Sequence, residues 1–126
     1  MAALLTAFTQ FPKKNFLVIG CDYPFLITTD LVHFSPYCKK ENDAVSFYNE
    51  KEDLYEPLLA WYSNQSFARL KQMHEGKQHS LQHFLKNNRA IKFYPGNKNC
   101  LMSIDTHEAF IKAKNSIKVS QSLQDT

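Results

Sequence analysis

Apolar and polar positions along this chain fall into blocks that switch between two periods. Asn15–Cys21 (NFLVIGC) is apolar almost throughout, with β-branched residues near its middle. Its length suits a strand covered on both faces, as in a parallel sheet. Ala44–Tyr48 and Ala90–Tyr94 read as further strands, and Cys100–Ile104 as a short one. Pro57–Tyr62 (PLLAWY) fits either a strand or the start of a helix. Glu50–Glu56 is a charged turn, and Pro95-Gly96-Asn97 is another.

Helices fill the intervals. Ala2–Thr9 is rich in Ala and Leu and is stopped by Pro12 and the Lys13-Lys14-Asn15 turn, because proline cannot continue a helix interior. Thr28–Phe34 is a short helix with Thr28 or Thr29 as its N-cap and Pro36 beyond its end. Ser66–His74 places Phe67, Leu70 and Met73 at helical spacing, and Gly76 ends it. Ser80 opens a helix with Leu81, Phe84 and Leu85 on one face. Asp105 or Thr106 caps a last helix, where Glu108 can close a capping box with Asp105.

Strands alternating with helices imply layered α/β architecture, and the connections are long enough for the crossovers of a parallel sheet. Only one helix precedes Asn15–Cys21. A strand that apolar needs more neighbours than the segments before it supply, and an unpaired apolar strand is an aggregation hazard. The expectation is that further strands, lying upstream or on a partner chain, complete the sheet.

The 126 residues make one domain, read as residues 1–119 with a flexible polar tail at 120–126. Apolar residues at 44% and charged residues at 21% exclude a disordered chain, a collagen-like one and a disulfide scaffold. No apolar run approaches the ~20 residues of a membrane span, and Ala2–Phe8 lacks the basic flank of a signal peptide. The net charge of +3 is spread as isolated lysines and pairs such as Lys39-Lys40, which does not make a nucleic-acid surface. Cys21, Cys38 and Cys100 are too few and too far apart for a disulfide framework or a zinc set, and fit a reducing cytoplasm.

The segment richest in chemistry is Val18-Ile19-Gly20-Cys21-Asp22-Tyr23-Pro24-Phe25. An apolar strand runs directly into an aspartate and a proline-bearing loop. Ligands of open α/β sheets bind beyond the carboxyl ends of strands, and a carboxylate there can hold Mg²⁺ against phosphate oxygens. The plainer alternative is that Asp22 caps the loop or accepts backbone N–H groups; spacing alone leaves both open.

Gly20-Cys21-Asp22-Tyr23-Pro24-Phe25-Leu26 followed by Thr29-Asp30-Leu31 resembles the CDxPFL…DL segment of the nucleotidyltransferases that make molybdenum dinucleotide cofactors, in particular the molybdenum cofactor guanylyltransferases. Glu56 to Tyr62 resembles that family's PLxAxY segment. Gly76 to Leu85 resembles its G…SLxxLL helix, and Ser103-Ile104-Asp105-Thr106-His107-Glu108 its NxNTPED segment. Met1–Phe8 resembles the helix after its GPLAG turn. The resemblance runs in order over about residues 1–115. Its glycine-rich LAGGxSxRMGxDK loop, which cradles the triphosphate, has no counterpart among three unpaired glycines.

The resemblance implies a three-layer α/β/α, Rossmann-like nucleotidyltransferase sheet whose N-terminal strands are missing from this chain. It implies transfer of GMP from GTP to molybdopterin with release of pyrophosphate, in the cytoplasm. Asp22 would be the catalytic, Mg²⁺-holding carboxylate; Pro24, Pro57, Ser103 and Asp105 would border the substrates. The family usually carries Asn at Ser103 and often at Asp105, and a second carboxylate near polyphosphate is repulsive unless it shares the metal. The chain alone is expected to be inactive or dependent on a partner. A CTP- or sugar-phosphate-using relative is one alternative, and a non-catalytic subunit that completes a sheet with a partner is another. No nucleic-acid or membrane partner is expected.

Other residues read as structural. His79 and His83 stand at i, i+4 with lysines around them and read as a solvated helix face, as do His74 and His107. Trp61, Tyr62 and Phe67 read as core, Lys92 and Arg89 as surface charges, and Cys21 as a small buried residue.

Overall fold

The computed structural model describes residues 1–39 and 41–102. Helix α1 (Ala2–Gln10) leads into strand β1 (Phe16–Ile19), helix α2 (Thr28–Phe34) and a 3₁₀ turn at Ser35–Tyr37. Strands β2 (Ala44–Asn49) and β3 (Leu54–Tyr62) follow, then a 3₁₀ turn at Asn64–Ser66, helices α3 (Phe67–Glu75) and α4 (Leu81–Asn87), strand β4 (Ile91–Phe93) and a 3₁₀ turn at Lys98–Leu101. The three-layer α/β/α arrangement is the one expected. The last helix capped at Asp105 or Thr106, the domain limit at 119 and the tail lie outside the described residues.

The sheet runs β1-β3-β2-β4. β3 is antiparallel to both β1 and β2, while β2 and β4 are parallel. Three strands therefore point the same way, and one reversed strand sits among them. This corrects the expectation of an all-parallel sheet. The cause is the short Glu50–Asp53 connection, which is too brief for a crossover and makes β2 and β3 a hairpin. Asp53, at φ 54°, takes the left-handed conformation that turns it.

β1 is also not covered on both faces. Phe16 and Val18 are half-buried, but Leu17 and Ile19 are 46% and 47% exposed. Among the described residues β1 pairs with β3 alone. A half-covered edge strand shows period-two burial even where its sequence is uniformly apolar.

Pro57 lies within a central strand, where a missing N–H would break a ladder. The register between β2 and β3 slips between Ser46 and Tyr48, and the slack accommodates it. The buried Ser46 hydroxyl lies 3.1 Å from the Glu56 carbonyl and 2.9 Å from that of Phe47. Tyr62 donates its hydroxyl to the Pro57 carbonyl at 2.9 Å.

The two sheet faces carry separate cores. On one, Leu4 and Phe8 of α1, Leu70 of α3 and Phe84 and Leu85 of α4 cover Ala44, Tyr48, Ala60 and Tyr62. On the other, Phe34 of α2 and Cys100 cover Val45, Phe47, Leu59, Trp61 and Phe93. Neighbours in β2 and β3 alternate between the cores, as pleating requires. Trp61 and Tyr62 are core, as expected, and Phe67 stacks on Phe8 with ring centres 5.4 Å apart.

Helix α2 spans the expected residues, but neither Thr28 nor Thr29 caps it: the buried Asp30 carboxylate accepts the Ile27 N–H at 3.0 Å. Ser80 caps α4, its hydroxyl accepting the His83 N–H at 3.2 Å. Cys100 and Leu101 form a 3₁₀ turn rather than a strand, since Pro95, Gly96 and Asn97 have already turned the chain.

Candidate functional site

Because β1, β2 and β4 share a direction, their carboxyl ends gather at one edge of the sheet, beside the amino end of β3. Asp22 is there, two residues beyond Gly20, with an exposed carboxylate. The loop carrying it is moored to β3. The Gly20 N–H donates to the Leu58 carbonyl at 2.6 Å, and the Tyr23 hydroxyl donates to Glu56 Oε2 at 2.7 Å. Pro24 and Pro57 are half-buried on these two tied segments. The structure thus brings Asp22, Pro24 and Pro57 to the same end of the sheet. Ser103 and Asp105 lie outside the described residues.

Gly20 is the local reason that Asp22 can sit at the strand end. A Cβ on Gly20 would stand 3.0 Å from Asp22 Oδ1, 3.1 Å from Tyr23 Cε2 and 3.2 Å from Leu58 Cβ. The carboxylate therefore folds back over a backbone with no side chain. Glu56 is the participant that sequence reasoning passed over. Its two carboxylate oxygens take the Tyr23 hydroxyl and, at 3.5 Å, the Asn49 amide. Its position immediately before Pro57 was the only available signal.

An open cleft of about 570 Å³ occupies the same edge, lined by residues including Tyr48, Asn49, Lys51, Pro95, Asn99 and Leu101. Asp22 does not line it. Among the described residues no three His, Cys, Asp or Glu side chains gather into a cation cage. A lone exposed carboxylate still fits Mg²⁺, which binds through one or two carboxylates and leaves its other positions to water and substrate phosphates.

Two of the cysteines, Cys38 and Cys100, are held as neutral thiols. Burial pushes the Cys38 thiol up to about 11. Cys100 is pushed up to about 12, by burial first and by the Asp30 carboxylate second. Cys21, expected to be buried, is exposed, because the chain has left the sheet at Gly20. Tyr48 is raised to about 12, chiefly by its hydrogen bond to Asp53. Lys92 is exposed, as expected, with its ammonium 4.4 Å from the centre of the Tyr48 ring.

No family model and no curated protein matches the sequence. Among solved structures, molybdopterin-guanine dinucleotide biosynthesis protein A from Archaeoglobus fulgidus superposes with a TM-score of 0.73 over 93% of this chain, at 18% identity. The two chains share a fold. The match covers 62% of the archaeal chain, so the present chain spans under two thirds of that protein's length. No helix among the described residues is long and apolar enough to cross a membrane.

Proposed function

We propose that this chain provides the metal-carboxylate and acceptor side of a cytoplasmic nucleotidyltransferase that joins GMP from GTP to molybdopterin. The observation that carries the reading is the exposed Asp22 carboxylate at the carboxyl end of β1, beside the tied Pro24 and Pro57 segments. The shared fold with a protein named for molybdopterin-guanine dinucleotide biosynthesis supports it, as does the order of sequence motifs.

In this reading the terminal phosphate oxygen of molybdopterin attacks the α-phosphorus of GTP. The bond from that phosphorus to the bridging oxygen breaks, and pyrophosphate leaves. Asp22 would hold Mg²⁺, and the bound ion would supply neutralisation of phosphate charge. Pro57, Ser103 and Asp105 would border the acceptor, and Pro24 would be a further substrate-binding residue. Positioning and charge neutralisation then supply the catalysis, with no covalent step on the protein. The three glycines of the chain are isolated from one another, so tight triphosphate binding is assigned to another polypeptide segment.

The test is calorimetric. The protein should bind molybdopterin saturably and bind GTP with Mg²⁺ only weakly. Absence of pterin binding refutes the acceptor assignment. Sub-micromolar GTP binding by this chain alone refutes the division of labour.

The outer edge of β1 favours one further element of this reading. Leu17 and Ile19 are exposed beside an edge that pairs with nothing among the described residues. Further strands, from a partner chain, would cover it. Gel filtration with light scattering decides: an assembly supports completion of the sheet, and a well-folded monomer with a sharp melting transition argues against it.

A further inference from the structure

The turn between α3 and α4 brings together two histidines five positions apart. α3 ends at Glu75, and Lys77, at φ 65°, reverses the chain across the helix end. The Lys77 N–H donates to the His74 carbonyl and the Gln78 N–H to the Met73 carbonyl, both at 3.0 Å. This pair of bonds defines a Schellman helix stop. The reversal lays His79 against His74. Their Nδ1 atoms are 2.8 Å apart, their ring centres 4.5 Å apart and their planes inclined at 66°.

That geometry is informative. Two imidazoles joined by a straight N–H···N bond of this length would have ring centres about 5 Å apart. The closer spacing means that at least one ring is inclined to the line joining the nitrogens, so the two Nδ1 atoms can turn toward a common point. Where both rings tilt equally to the same side, the lines from the ring centres through Nδ1 meet ~2 Å beyond both nitrogens, the length of a metal–imidazole bond. Two ring nitrogens that both present lone pairs at this distance repel unless a proton or a cation lies between them.

We infer that His74 and His79 form a two-imidazole clip for a divalent transition-metal ion of the zinc, copper or nickel class. Imidazole suits these metals. The site is distinct from Asp22, whose oxygen chemistry suits Mg²⁺. His83 does not gather with the pair; its Nε2 lies 2.7 Å from the Asn87 amide. Among the described residues no third His, Cys, Asp or Glu joins the pair, so the other coordination positions are open to water or to a donor from another molecule. A bound ion cross-links the last turn of α3 to the residue before the α4 cap and stabilises the turn between them.

The test uses the full-length protein without an affinity tag, titrated with Zn²⁺ by calorimetry and with Cu²⁺ by electron paramagnetic resonance. The expected result is one equivalent bound, with nitrogen hyperfine structure from two imidazoles. His74→Asn and His79→Asn should each weaken that equivalent by at least roughly tenfold, while His83→Asn and Asp22→Asn leave it unchanged. Both clip residues lie outside the core, and circular dichroism establishes that the variants fold. No binding, binding that survives either clip substitution, or binding lost on His83→Asn overturns the inference. None of these outcomes depends on the nucleotidyltransferase reading.

Discussion

Replacing Gly20 by alanine tests whether the end of β1 is built around an absent side chain. The backbone permits the change, since no glycine described has positive φ. The obstacle is space. The new Cβ meets three neighbours at 3.0 to 3.2 Å, and they differ in their ability to yield. Asp22 is exposed and can swing away. The Tyr23 ring is anchored through its hydroxyl to Glu56 at 2.7 Å. Leu58 Cβ belongs to the adjacent strand, whose carbonyl Gly20 holds at 2.6 Å. Relief therefore requires splaying β1 from β3 or breaking the Tyr23–Glu56 bond. Overpacking of this kind costs about 1–3 kcal/mol. Removing a glycine from the unfolded ensemble returns ~0.5–1 kcal/mol. The net expectation is a loss of about 1–2 kcal/mol, a urea midpoint lower by roughly 0.5–1 M. Gly96→Ala is the control: nothing lies within 4 Å of its Cβ, and its stability should equal the parent's or rise by up to about 1 kcal/mol. If Gly20→Ala matches or exceeds the parent while Gly96→Ala behaves as stated, the crowding at Asp22 is not real.

Ser46→Ala should lower stability by roughly 1–2 kcal/mol in denaturant titration, because it removes the buried hydroxyl that donates to the Glu56 carbonyl at the β-bulge; an unchanged midpoint refutes the proline-accommodation account. Lys77→Gly should raise stability by about 0.5–1 kcal/mol, since Lys77 holds φ 65° in the helix stop, and a decrease argues against that turn. Stability should fall as pH rises from about 8.5 toward 12: thiols and phenols that ionise near 8.5 and 10 when unfolded are held up by burial at Cys100 and Tyr62, so the folded state binds more protons there. Thermal melts across that range that show no decline exclude this linkage. With a disulfide reagent at pH 8, Cys21 should react first and Cys100 last; rapid native-state modification of Cys100 would contradict its burial.

What the sequence disclosed, and what it hid, follows from the range of each signal. Helix α2 and the Ser80 cap of α4 rest on local chemistry within a few residues, and both were legible. Strand direction was not. Asn15–Cys21 is apolar enough for a buried parallel strand, yet its exposure is decided by β3, whose contact with it comes 46 residues later through Phe16 opposite Tyr62. The same range separates the parts of the site. Asp22 could be singled out because a strand ending in a carboxylate is a local pattern. Glu56 could not, because its tie to Tyr23 spans 33 residues. The histidines show the limit most sharply. Spacing pairs His79 with His83 as i, i+4 on a helix, but α4 starts at Leu81, so His79 lies outside it. The left-handed turn at Lys77 sends His79 back to His74. One non-glycine residue at positive φ, which no periodicity reveals, thus decides which imidazoles can share an ion.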